Sequence, residues 1–217
     1  RTFGWASISL IVNNLDEIIT KINSSPFKML CPIRTMNFNQ GRIKLLDIIG
    51  IGSEVISLVE VLDANEPNLP VPQCSIDRPF MVTLATRDIE TTKNFYYNKL
   101  SIEKSPEVQS EIWPLSDAFQ YNRDTTYALS KNLFGEKTFL EIHEYPEDST
   151  RRNLISGNLH PGICHITITL PKIDDLTLYW LTEPIQIESG AYKNCKQVTF
   201  FGATGELVEL IEHKTEN

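Results

Sequence analysis

Near the start of the chain, WASISLIV is an apolar run of the kind that forms a strand. The pattern then changes to helical spacing at Leu15, Ile18, Ile19 and Ile22. Alternation places side chains on the two faces of a strand, and a three-to-four residue spacing makes one apolar stripe on a helix. Asn14 is an N-cap for that helix, with Asp16 and Glu17 at its positive end. FKML, GRIKLLDIIG and SEVISLVEVL then predict strands. The order recurs. Phe80, Val82 and Leu84 alternate with Met81, Thr83 and Ala85, and Asp88 caps a helix that buries Ile89, Phe95, Tyr96 and Leu100. The polar stretch 101–123 holds one irregular strand, and TTYALS and KTFLEIHEY form two more, separated by the hairpin turn NLFGEK. A third pass begins at ICHITITL. It continues through IDDLTLYWL, expected to be a short helix, and closes with PIQIES, KQVTFFG and ELVELIEH.

Three βαβββ units therefore occupy 5–62, 79–145 and 162–213. One such unit leaves a sheet face uncovered, so these units stabilise in pairs. The fold class expected is α+β: repeated βαβββ modules paired into curled mixed sheets, with helices outside. The short connector 147–162 pairs the second unit with the third, giving a complete two-module domain over 79–217. The segment 63–78, rich in proline, is a linker, and 1–62 is an unpaired module. That leftover module implies a missing N-terminal module before Arg1, or a partner chain (a homodimer) that supplies the other half.

A net charge of −8 opposes binding to phosphate backbones, so nucleic acid is excluded as a partner. No run of 18 apolar residues is present to span a membrane as a helix. The four cysteines form no C-x-x-C pair, which fits reduced thiols and a cytoplasmic setting.

The chemistry lies in strand parity. On KTFLEIHEY, Phe139, Glu141 and His143 share a face opposite Leu140 and Ile142. On ICHITITL, His165 and Thr167 oppose Ile166 and Ile168. On ELVELIEH, Glu209 opposes Val208 and Leu210. Faces that mix apolar and ionisable groups suit an enclosed pocket for a small molecule. If the second and third units pair, Met81, Glu141, His165 and Glu209 converge in one cup. Glu141, His165 and Glu209 would then hold a divalent Zn, Ni, Mn or Fe ion, with Glu141 and Glu209 able to act as base. Met81, Thr83, Tyr127, Phe139, His143, Thr167 and Phe201 would line the substrate pocket. A metal-free pocket, with Trp113 among its aromatic residues, is the alternative.

VTLATRDIETTKNFYYNKLSI resembles the strand, aspartate, helix and F-Y-x-x-x-L-G signature of the vicinal oxygen chelate superfamily, with Ser101 in place of the glycine. FGATGELVELIE resembles that family's closing turn and strand. The superfamily includes glyoxalase I, extradiol dioxygenases, fosfomycin- and bleomycin-resistance proteins and methylmalonyl-CoA epimerase. The resemblance implies metal ligands on the first and last strands of each paired unit, at Met81, Glu141, His165 and Glu209. It implies a weak, metal-free half at Ser7 and Ser57. Met81 departs from the usual His or Gln, which favours lyase or isomerase chemistry on vicinal oxygens over dioxygenase chemistry. It leaves a metal-free sequestering protein, or an inactive structural pair, as the rival.

Overall fold

A computed structural model of the chain describes residues 2–38, 41–64, 69–135, 138–153 and 157–212. The expected linker, hairpin turn and connector each include residues outside that set. The first unit is β1 (Gly4–Val12), α1 (Leu15–Asn23), β2 (Lys28–Met29), β3 (Arg34–Phe38), β4 (Gly41–Ile49) and β5 (Val55–Ala64). The second is β6 (Ile76–Thr86), α2 (Ile89–Leu100), β7 (Val108–Glu111), α3 (Trp113–Phe119), β8 (Thr126–Phe134) and β9 (Thr138–Glu144). The third contributes β10 (His165–Leu170), β11 (Ile185–Gln186), β12 (Lys196–Phe201) and β13 (Leu207–Glu212).

Two of the three predicted helices form, with the expected caps. The Asn14 side chain accepts from the Glu17 amide, and the Asp88 side chain from the Thr91 amide. Ser101 ends α2 in the left-handed conformation, with φ of 57°. The strands form two sheets. One has nine strands, ordered β2-β4-β5-β1-β6-β9-β8-β7 with β3 also paired to β4. The other is β10-β13-β12-β11. In each unit the first strand runs parallel to the last: β1 to β5, β6 to β9 and β10 to β13.

The pairing of units differs from the sequence expectation. β6 bonds antiparallel to β1, with Ser7 opposite Thr83 and Ile8 opposite Val82. The large sheet thus joins the first unit to the second, instead of the second to the third. Alternation determines which face a side chain occupies but is silent on which edge a strand adds to. β6 also starts inside the expected linker, at Ile76.

The apolar side of the large sheet packs outward. Val12, Leu46, Ile48 and Leu58 meet Leu15, Ile18 and Ile22 of α1. Leu84, Leu140 and Ile142 meet Ile89, Tyr96 and Leu100 of α2, and the same cluster takes in Ile168, Val198, Phe200, Val208 and Leu210 of the small sheet. α2 therefore has a sheet on either side. The helix expected in IDDLTLYWL is absent. Its Thr, Tyr and Trp favour extended chain, and Pro171 and Pro184 bracket it. Ile173, Leu176, Leu178 and Trp180 still pack on the shared core, and the Trp180 ring meets Phe200 edge-on.

Candidate functional site

The inner face of the nine-stranded sheet encloses a cavity of about 910 Å³. Parity sends Ser7 and Ser9 of β1, Met81 and Thr83 of β6, and Glu141 and His143 of β9 into it. Asp47 of β4 and Ser57 of β5 enter by the same rule. Ser57 stands opposite both Ser9 and Asp47 in the ladder, and Thr83 stands opposite both Ser7 and Glu141. A polar band thus crosses the cup from Asp47 to Glu141. Met36, Leu45, Val59 and Leu129 supply apolar wall, and α3 covers one side with Leu115 and Phe119.

Two charged groups anchor the ends of the band. His143 Nε2 lies 2.8 Å from Glu141 Oε2, and Thr83 Oγ1 donates to the same oxygen at 3.4 Å. Burial pushes the Glu141 carboxyl up, but His143, Lys131 and Thr83 outweigh it and hold the group below its ordinary value. At the other end Asp47 is 4 % exposed. It accepts from the Ser57 hydroxyl and from Arg34 Nη2, the latter at 3.3 Å. Burial raises the Asp47 pKa; Arg34 and Ser57 oppose the rise and the charge of Glu141 adds to it. Beside it, burial and the Asp47 charge push the Cys31 thiol up to about 11, so this sulfur is a poor nucleophile at neutral pH.

Of the residues singled out from the sequence, Met81, Thr83, Glu141 and His143 line the cavity. Phe139 faces the same way but is packed against Leu45, Val59 and Phe80 at one end. Tyr127 is buried with Leu115 and Phe119 beneath α3, its hydroxyl paired with Ser116. Trp113 lies over the Arg34 and Arg123 guanidinium groups. His165, Thr167, Phe201 and Glu209 stand on the small sheet and do not reach this cup. There the Thr167 hydroxyl and the Gln197 amide donate to Glu209, and His165 is exposed. The convergence of Glu141, His165 and Glu209 on one ion is therefore not what the fold builds. Alternation separates His165 and Glu209 from the core-facing Ile166, Ile168, Val208 and Leu210, but it leaves them on the open face of a sheet other than the one that carries Glu141.

The ligand positions of the fold can be tested against what occupies them. In the cup that forms, the first and last strands offer Ser7 or Ser9, Ser57, Met81 or Thr83, and Glu141. Glu141 is the single strong ligand of the set. Its Oε2 is taken by His143, and the Lys131 cation acts on it electrostatically. Among the described residues no three His, Cys, Asp or Glu side chains stand together as a metal site. These donors do not fit a divalent ion.

Sequence reasoning passed over Arg34, Asp47 and Ser9. Asp47 had a visible signal, as a lone charge inside the apolar run IKLLDIIG. Arg34 had none, because β3 was not predicted as a strand.

No protein-family model matches the chain. No curated protein matches it significantly in sequence. Among the described residues no helix is long and apolar enough to cross a membrane. Solved structures do match. Glyoxalase I from Zea mays aligns with a TM-score of 0.60 at 13 % identity, covering 96 % of this chain and 67 % of that one. A Bacillus subtilis protein described as a candidate dioxygenase aligns with a TM-score of 0.56 at 11 % identity, covering 97 % of this chain and 63 % of that one. At these identities the likeness is one of fold: paired βαβββ units curled around a cup, as in the glyoxalase I structure.

Proposed function

We propose that this chain binds a small, largely apolar organic molecule in the cup of its nine-stranded sheet, and does so without a metal. The observation that carries the proposal is the lining itself: a 910 Å³ space with apolar walls, one polar band, and serines where ligating side chains would have to stand. Spaces of this size and character are typical of small-molecule sites. Glu141 and His143 orient the ligand by hydrogen bonding. The lowered pKa of Glu141 makes it a weak proton acceptor, which favours binding over proton abstraction. A lyase or isomerase that chelates vicinal oxygens through a divalent ion is the weaker reading, because it needs ligands that the cup lacks.

Thermal melts separate the two. A ligand held at 100 times its Kd stabilises by about 2.7 kcal/mol. For a chain of this size that raises Tm by roughly 5–10 °C. Apolar fragments from a small-molecule screen are expected to produce such shifts, and Mn, Fe, Ni and Zn are not. A shift of that size with one of these metals, abolished by Glu141→Gln, would overturn the proposal.

A further inference from the structure

The small sheet turns Ile168, Val208 and Leu210 onto the core, and alternation leaves His165, Thr167, Thr199, Phe201 and Glu209 on its other face. A unit of this kind needs a second unit to cover that face. Among the described residues none does, and Phe201 stands 44 % exposed there. β10 is an edge of this sheet. Among the described residues no backbone bond reaches it except from β13. Natural edge strands are blunted by Lys, Pro or a bulge, because a bare edge pairs with other strands. β10 reads HITITL, has none of these, and runs beside β13 without a break in register.

The same chain shows how such an edge is closed. β1 and β6 are also the first strands of their units. They pair antiparallel, with Ser7 opposite Thr83, Ile8 opposite Val82 and Ser9 opposite Met81. The central strands β5-β1-β6-β9 thus have an approximate two-fold arrangement about the Ile8–Val82 pair, with each unit's last strand outside its first. The third unit repeats the second at this place. Thr83 stands opposite Glu141 and donates to it, and Thr167 stands opposite Glu209 and donates to it. Thr167 therefore takes the position of Thr83, and Ile166 that of Val82.

We propose that two copies of this chain pair through β10, antiparallel and about a two-fold axis at Ile166. The result is one eight-stranded sheet, four strands from each copy, curled around a second cup. Antiparallel pairing of a strand with its own copy satisfies two-fold symmetry by construction, so the interface closes at two chains. Ile166 meets its counterpart at the axis. His165 of one copy stands opposite Thr167 of the other, beside the Glu209 carboxylate that this Thr167 holds. The imidazole of each copy is thus brought toward a carboxylate, and no two like charges oppose each other across the axis. The exposed Phe201 becomes part of the cup lining, as apolar side chains line the first cup.

Sedimentation velocity of the intact chain tests this, and its outcome is independent of the small-molecule reading. The expected mass at high micromolar concentration is twice the 24.7 kDa of one chain. Two double variants test the register. In His165→Lys/Thr167→Lys each new lysine faces a lysine of the second copy, and in His165→Glu/Thr167→Glu each glutamate faces a glutamate. Both positions are exposed in the single chain, so the fold tolerates the change. Each variant alone is expected to dimerise at least about tenfold more weakly than wild type. Mixing the two is expected to restore a dimer containing one of each, which a folding defect cannot do. A wild-type chain that stays monomeric, a dimer that neither variant weakens, or a mixture that forms no heterodimer would refute the β10 interface.

Discussion

Replacing Arg34 by Met tests the electrostatics of the cup most directly. Arg34 and Asp47 face each other at 3.3 Å with side chains 11 % and 6 % exposed. Coulomb's law at an effective dielectric constant of about 20 gives an attraction of about 5 kcal/mol at that separation. Part of it offsets the burial of the guanidinium, and removing one partner of such a pair costs about 3–5 kcal/mol because the other charge is left alone. For a chain of this length the corresponding fall in Tm is roughly 6–20 °C.

The pH dependence fixes the mechanism. Burial already raises the Asp47 pKa in the folded state, and Arg34 is the strongest group opposing that rise. Without Arg34 the pKa climbs further. A carboxyl whose folded pKa lies above its unfolded value contributes its full stability below the unfolded pKa, and loses it as pH rises through the folded pKa. The deficit of Arg34→Met is therefore largest at neutral pH and shrinks on acidification. Glu141 titrates in both proteins and cancels from the difference. The assay is urea unfolding followed by tryptophan fluorescence at pH 7 and pH 5. Arg34→Met/Asp47→Asn should recover at least half of the loss. A wild-type midpoint for Arg34→Met at pH 7, or a deficit that grows at pH 5, would show that the pair does not carry the charge balance described here.

Glu141→Gln bears on the opposite end of the band. The lowered Glu141 pKa contributes stability that is present above the unfolded carboxyl value and lost as pH falls through the folded one, so the variant should flatten the acid limb of the stability–pH curve; an unchanged limb refutes this. Phe200→Ala should cost about 3–5 kcal/mol in denaturant titrations, since Phe200 is 1 % exposed between Phe95 and Trp180; a loss under 1 kcal/mol on that scale would mean that the small sheet is not anchored there. Ser101→Gly should raise stability by about 1 kcal/mol, because Ser101 holds a left-handed φ of 57° that glycine adopts freely, and a lower Tm would contradict that origin of strain.

Much of this architecture was legible in the chain. Leu15, Ile18 and Ile22 report α1, Asp88 reports the start of α2, and the alternation in KTFLEIHEY places Glu141 and His143 inward and Leu140 and Ile142 outward, as they stand. These features are local, set by dihedral preference and by side-chain period. What stayed hidden is non-local. β1 and β10 are both apolar first strands, and nothing in their composition says which of them adds to β6. That choice decides whether Glu141 shares a cup with His165 and Glu209 or with Asp47 and Arg34. Two local readings also failed for tertiary reasons. IDDLTLYWL reads as a short helix but forms a turn, closed by the Leu176 amide donating to the Ile173 carbonyl, followed by irregular chain packed on the core. WPLSDAF forms α3 within a stretch read as irregular, with Pro114 in its first turn, where a missing N–H costs nothing.

The position of α2 between two sheets has a practical consequence for anyone dividing this molecule. A cut in the 147–162 connector looks harmless, since its glycine, proline and charged residues read as a link between the halves. Yet Phe95 stacks on Phe200, and the Tyr96 hydroxyl donates to Glu206 from a fully enclosed ring. Expressed alone, the larger fragment would expose one flank of its best-packed helix to water, and the smaller would keep a four-stranded ribbon with nothing beneath it.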